Sequence, residues 1–374
     1  MCFLAASITQ SAQRDSLAVM KLAAFAPCAV AALVVSAAAA QSLTLVPGLP
    51  PNGGSRLHGI TADGRTVVGE SAFGTAFRYS ASAGRQDLLE PGVQLLTGNA
   101  ISGDGSTVVG EGTGGAYVWR GPGNYQLIGR QAGYTDGAAE GVSGDGSVVV
   151  GRSYIPDNAE PSQAFRWTTS TGLQPLGFTR SGHYHSEARA ISRNGEVIVG
   201  ESRAGNGDAF VWTTAAGMVA LPELPGSNRG SGAFGVNATG DIIVGYSGPG
   251  GQWTKWEDGI AASLGGVGGI ARSVSDNGRV VVGQFDQGGQ KAGIWTLERG
   301  AEPLVDYLAS FGISIPANVS LLDATAVSAD GRTIAGYTGL PGQVRQGFIA
   351  TIPAPPAALA LGILLTRHRR SRSL

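Results

Sequence analysis

The sequence predicts an all-β fold, a seven-bladed β-propeller closed by an N-terminal strand, on three observations. One motif occurs seven times, each copy but the last carries four short β-like runs, and one unpaired run precedes the first copy. The copies are GITADGRTVVG, AISGDGSTVVG, GVSGDGSVVVG, AISRNGEVIVG, GVNATGDIIVG, SVSDNGRVVVG and AVSADGRTIAG. Their turn glycines are Gly64, Gly105, Gly146, Gly195, Gly240, Gly278 and Gly331. A spacing of about 40–50 residues, with several strands per unit, is what a propeller blade requires.

The fourth unit shows how each element arises. Ala190-Ile191-Ser192 is a short extended run, and Arg193-Asn194-Gly195 is a turn. Asn-Gly and Asp-Gly supply the positive φ of a tight hairpin. The β-branched run EVIVG returns as a second strand. After a polar, glycine-rich loop, Ala209-Phe210-Val211-Trp212 makes a third strand. Ala216-Gly217 turns the chain, and Met218 to Leu221 makes a fourth, ended by Pro222.

The register is kept across units. The first motif position is small: Gly59, Ala100, Gly141, Ala190, Gly235, Ser273 and Ala326. Inner strands that converge on an axis leave room for little more there. The next position is always Ile or Val, to fill volume between blades. A closing glycine ends every second strand: Gly69, Gly110, Gly151, Gly200, Gly245, Gly283 and Gly336. Glycine there marks a bulge or a close backbone approach. The third strand ends in Tyr79, Trp119, Trp167, Trp212, Trp256 and Trp295, and in Ala350 in the last unit. Their regularity favours packing between blades over a ladder for stacking ligands. The last unit has no fourth strand, and residues 42–50, SLTLVPGLP, resemble MVALPELPG at 218–226. This orphan strand would pair with the last blade and leave no open edge.

AISRNGEVIVGESRAGNGDAFVWTTAAGMVALPELPG resembles the HAF-type extracellular repeat, and the resemblance extends over roughly residues 42–351. The fifth unit departs from it, with Gln252-Trp253-Thr254-Lys255-Trp256, and the first lacks the Trp. The resemblance implies an exported repeat protein and no reaction.

Both ends read as addresses. Residues 1–19 look like upstream translated sequence. Residues 20–40 form a signal peptide: Met20-Lys21, an apolar stretch, then Ala38-Ala39-Ala40 before Gln41. Cleavage removes both cysteines, Cys2 and Cys28, so the propeller, 41–352, holds no disulfide and no thiolate chemistry. Residues 353–374 combine prolines, the apolar run AALALGILL and a basic cluster from Arg367 to Arg372. They resemble a PEP-CTERM sorting tail. That tail implies an exosortase-type processing enzyme, transient inner-membrane association, and the cell surface or surroundings of a Gram-negative bacterium. The apolar run is about half the ~20 residues that span a bilayer.

Glycine is abundant, 60 of 374 residues, and only 14% is charged, with a formal net charge of −1. A chain with no basic surplus has nothing to neutralise phosphates, which argues against nucleic acid. No catalytic or nucleotide motif is present. The stretch LGGVGGIA at 264–271 reads as a loop and opens no helix, so no cofactor is expected. The Asp-Gly turns offer one carboxylate each, too few for calcium. His183-Tyr184-His185 could hold a metal on one strand face, with Glu187 as a third ligand, but a polar loop is the simpler reading. The longest binding-face loops belong to units three and four. They nominate Tyr134, Asp136, Tyr154, Arg180, His183, Tyr184 and His185 as ligand-binding residues. The expected function is a non-enzymatic surface or matrix protein binding an extracellular polysaccharide or a surface protein. The alternative is a polysaccharide-active hydrolase or lyase, which needs two facing carboxylates.

Overall fold

The Asp-Gly and Asn-Gly turns form as expected, with glycine φ from +68° at Gly278 to +77° at Gly195, and Gly240 after Thr239 stands at +88°. A hydroxyl two residues before the Asp or Asn completes each of them. Ser192 Oγ donates to Asn194 Oδ1 at 2.5 Å and accepts the Val197 N–H at 2.9 Å. Asn194 Oδ1 also accepts the Glu196 N–H at 3.1 Å. Thr61, Ser102, Ser143, Ser275 and Ser328 act alike, and Asn237 substitutes in the fifth copy. In the Asp copies this hydroxyl is the main reason that Asp63, Asp104 and Asp145 lie below the usual aspartate pKa. These carboxylates are engaged in turn structure.

At Gly195, φ is +77° and an added Cβ would meet nothing nearer than 3.5 Å. There is room for a side chain, so the cost of one lies in the backbone. Gly195→Val is expected to lower stability by more than ~1 kcal/mol, and Gly195→Asn by clearly less, because Asn tolerates the left-handed region. Urea melts of the two variants check this.

The computed structural model describes residues 41–353 except 49–52, 157–160, 228–229, 249, 267, 287 and 340–344. The signal peptide, the upstream segment and residues 354–374 of the tail lie outside them. The chain divides into Met1–Ala38 and Ala39–Leu374, and every described residue belongs to the second unit.

The described residues form an all-β structure in a β-propeller arrangement, with five four-stranded sheets and one of eight strands. Within a unit the strands run antiparallel in chain order. In the fourth they are His185–Ile191, Ile198–Ala204, Asn206–Thr213 and Gly217–Ala220. The eight-stranded sheet comprises the third and fourth units, joined by one parallel bridge, Ser162 to His185. The last sheet has the order Ser42–Val46, Gly347–Thr351, Thr333–Gly339, Ser320–Val327. Ser42 pairs with Thr351 and Val46 with Gly347, and Ser55 Oγ donates to the Val46 carbonyl at 2.7 Å.

Six inner strands carry a bulge, as between Ala188 and Ala190 or Ala271 and Ser273. The closing glycines lie against these strands. An added Cβ would stand 1.8 Å from the Glu187 carbonyl oxygen at Gly200, and 2.1 Å from that of Asp323 at Gly336. Bulge and close approach therefore occur together.

The turns are linked to one another by hydrogen bonds. Ala62 donates to Gly103 at 3.1 Å, Asp104 to Gly144 at 3.4 Å, Gly144 to Arg193 at 2.9 Å and Asn194 to Ala238 at 3.2 Å. The Asn237 side chain reaches the Asp276 carbonyl at 3.2 Å. Asp276 donates to Ala329, and Ala329 donates to Ala62, both at 3.0 Å. The seventh turn thus bonds back to the first.

The core lies between neighbouring sheets. Val109 and Val118 pack with Val149, Phe165 and Trp167, and Val46 joins Leu57, Phe77 and Ala335. Trp119 and Trp256 are buried, and Tyr79, Trp212 and Trp295 pack at cluster edges. The third-strand aromatics therefore serve packing. One element was not expected from the sequence: the helix Leu304–Ala309, which buries Leu304, Tyr307 and Leu308 against the last two units. Among the described residues no helix is long and apolar enough to cross a membrane.

Candidate ligand site at the channel mouth

A bulge adds one residue to a strand and re-aims its side chain. The added residues are His58, Glu140, Arg189, Phe234, Arg272 and Thr325, and Asn99 takes the equivalent place in the second unit. All seven line one axial cavity of about 200 Å³, together with the small residues that follow them. The small residues are required: a Cβ at Gly235 would lie 2.7 Å from the Arg272 carbonyl oxygen.

A second ring begins one residue after each closing glycine, at Glu70, Glu111, Arg152, Glu201, Tyr246, Gln284 and Tyr337. Its members hold those of the first. His58 Nε2 is 3.6 Å from Glu70, and Arg272 Nη2 donates to Gln284 Oε1 at 3.4 Å. Arg272 Nε lies 2.9 and 2.8 Å from the two Asp323 oxygens, and the Tyr337 hydroxyl donates to the same carboxylate at 3.2 Å. Burial pushes the Asp323 pKa up, against the pull of Arg272. Arg152 and Arg189 both meet Glu187, and Arg189 and Arg203 lie 3.8 and 3.7 Å from Glu201. The Phe234 ring stands 5.2 Å from the Arg189 guanidinium, 6.0 Å from that of Arg272 and 6.0 Å from Tyr246.

At the turn end, Arg193 lies across the axis and donates to Asp276 at 3.0 Å. Gly103 and Gly144 make room for it: added Cβ atoms would stand 2.9 Å from Arg193 Nη1 and 2.2 Å from its Cγ.

The residues nominated from loop length disperse into several settings. Tyr154 and Asp136 border the second ring: the Tyr154 hydroxyl donates to Glu111 at 2.9 Å, and Asp136 accepts the Gly137 N–H at 2.8 Å. Tyr134 offers its carbonyl to Arg130 Nε at 3.1 Å. Arg180 pairs with Asp208 at the surface, and Tyr184 is 45% exposed. The two histidines do not form one face of a strand, because His183 precedes the strand that His185 begins. His183 Nδ1 is 2.9 Å from Ser202 Oγ, and desolvation lowers its pKa. His185 is buried, 2.8 Å from Ser162 Oγ. Its Nε2 lies 3.4 Å from Glu187 and 3.8 Å from Glu201, and ligand atoms of the three lie within 4.8 Å of one another. The donor types could suit a metal, but three guanidiniums already balance the two carboxylates, so the group works as an ion-pair cluster.

Loop length could not find the bulge residues. One signal could have: theirs is a motif position whose chemistry changes from unit to unit while its neighbours stay constant.

Glu111 is the acidic group most open to a titration test. Burial raises its pKa above the ordinary 4.5, with Asp136 and Glu140 adding to the rise and the Tyr154 hydroxyl opposing it. Between the unfolded and folded values the native state holds the extra proton, so its contribution to stability falls as pH rises. Tyr154→Phe removes the opposing bond. The Glu111 titration is expected to move upward, and the melting deficit of the variant to be larger at pH 7 than at pH 4. Carboxyl-detected NMR and paired melts measure the two.

No family model matches this chain, and no curated protein matches it. Among solved structures it is similar to TolB from Acinetobacter baumannii, with a TM-score of 0.42 and 12% sequence identity. The similarity covers 83% of this chain and 66% of that one, so the chain spans less than two thirds of that structure.

Proposed function

We propose that the chain is an exported, non-enzymatic surface or extracellular-matrix protein, a seven-bladed β-propeller that binds a glycan or protein partner at the channel mouth. The observation that carries the reading is the ring of seven side chains of six types around one cavity. Purely structural positions repeat their chemistry, as the turns and closing glycines do, whereas a ring that recognises a ligand is asymmetric. In the blade count the eight-stranded sheet stands for two blades, and Ser42–Val46 closes the last. The hydrogen bonds that pass through seven turns and return to the first support this count.

The acids near the mouth favour binding over hydrolysis. Glu187, Glu201 and Asp323 meet arginines, and Glu70 meets His58. Glycoside hydrolysis needs two free carboxylates flanking the scissile bond. The alternative, a hydrolase or lyase, rests on Glu111, whose raised pKa beside Asp136 and Glu140 is the kind a general acid has. A glycan array with the exported protein tests the binding reading. Polysaccharide cleavage that disappears in Glu111→Gln would favour the alternative.

Export and sorting belong to the same proposal. The segment from Met20 to Ala40 would direct export, and the tail from Pro353 would hold the chain briefly at the inner membrane for an exosortase-type enzyme. The protein would then reside at the cell surface or in the matrix of a Gram-negative bacterium. Intact mass decides this, since a chain still ending at Leu374 in a cell with the processing enzyme would reject sorting.

A further inference from the structure

Arg189 and Arg272 both face the axial cavity, and their carboxylate partners stand behind them. Glu187 and Asp323 are 2% and 0% exposed, and neither lines the cavity. A guanidinium presents five donors in a rigid fork. Asp323 takes the Nε of Arg272, and Glu187 meets Nη2 of Arg189. Arg189 Nε is buried without a hydrogen-bond partner. Arg272 is thus fixed from behind by Asp323 and Gln284, and Arg189 by Glu187 with Glu201 at 3.8 Å, and each keeps further donors for a ligand.

Asp276 pairs with Arg193 at the turn end, and the carboxylates that pair with Arg189 and Arg272 lie outside the lining, so the two arginines present guanidinium donors to the cavity and Glu140 is the remaining carboxylate that lines it. The volume of about 200 Å³ is below the ~300–1,000 Å³ of pockets for drug-sized ligands. With the Arg193–Asp276 pair across the far end, the cavity takes one terminal group and no threaded chain.

We propose that the cavity binds the terminal uronate residue of an acidic polysaccharide. The carboxylate sits between Arg189 and Arg272, and one face of the sugar ring lies on Phe234. Glu140 and the side-chain oxygens of Asn99 and Thr325 offer acceptors to its hydroxyls, while the Thr325 hydroxyl and one Asn99 amide hydrogen are donated to the Leu57 and Ala139 carbonyls. The proposal rests on the glycan-binding reading above and names the class of glycan. A peptide C-terminus shares the carboxylate, but it does not call for hydroxyl partners or an aromatic face together.

Calorimetry on the full exported chain tests it with four probes: galacturonic acid, glucuronic acid, methyl galactoside and acetyl-dialanine. A uronate is expected to bind at least tenfold more tightly than the neutral galactoside, and added salt should weaken it. Phe234→Leu should weaken uronate binding severalfold. The paired change Arg272→Gln with Asp323→Asn, which leaves no unbalanced buried charge, should weaken it at least tenfold. Circular-dichroism melts confirm that the variants fold. Equal binding of the neutral sugar would overturn the acidic class and leave the glycan reading standing. Binding of acetyl-dialanine without a uronate would overturn it in favour of a peptide end. Unchanged uronate affinity in both variants would overturn the site. Silence from every saccharide, here and on a glycan array, would remove the proposal and the glycan reading together.

Discussion

Gly200→Ala is expected to cost about 3 kcal/mol, near the upper end for overpacking by a single methyl group. The added Cβ would stand 1.8 Å from the Glu187 carbonyl oxygen and 2.9 Å from the Phe210 ring. Neither neighbour can give way cheaply. The oxygen is backbone, one residue before the bulge at Ala188–Ala190, and Phe210 is fully buried. Relief requires the inner strand to move, and Glu187 and Arg189 move with it. The variant should therefore lose both stability in urea and affinity at the channel mouth. A midpoint equal to that of the parent would mean that the two strands part freely there.

Removal of Ser42–Val46 should be costlier, by about 4 kcal/mol or more. Val46 is fully buried, and Leu43 and Leu45 pack against the last two units. Burial of one such side chain contributes about 1.5–3 kcal/mol. The deletion also opens the edge of Gly347–Thr351 and strips the Ser55 hydroxyl of its acceptor. Thermal melting of the truncated protein checks this, and an unchanged midpoint would exclude Ser42–Val46 as the closing strand.

The repeating parts of the fold were legible in the sequence because each rests on a residue type with one physical use. Gly195 is needed for its positive φ, Gly200 for its missing Cβ, and Trp256 for its volume between sheets. The closing glycine pointed to a bulge or a close approach, but its place on the facing inner strand was not legible, since an extra residue in a strand changes no residue type. His58 and Arg189 therefore read as ordinary strand positions. The helix Leu304–Ala309 was missed for a different reason: six residues carry too short a periodicity to stand out, and the gain comes from the cluster it covers. The nominated residues rested on one assumption, that long loops collect chemistry, and the structure places them in several settings. Tyr154 and His185 do lie near the mouth, but as supports: one holds Glu111, and the other stands beside Glu187.

The chain of turn contacts makes the two rims of the ring mechanically unequal. At one rim every unit is tied to the next, and the last to the first, so the perimeter there is fixed like a hoop around staves. Among the described residues the opposite rim is tied less continuously: backbone bonds join some neighbours, as Ser162 to Tyr184 and Ser55 to Arg345, and side chains join others, as Arg272 to Asp323 and Tyr154 to Glu111. Small outward tilts of the units would then pivot on the hooped rim and change the width of the other. A guest that enters the open rim could be gripped by this tilting without any strand leaving its sheet.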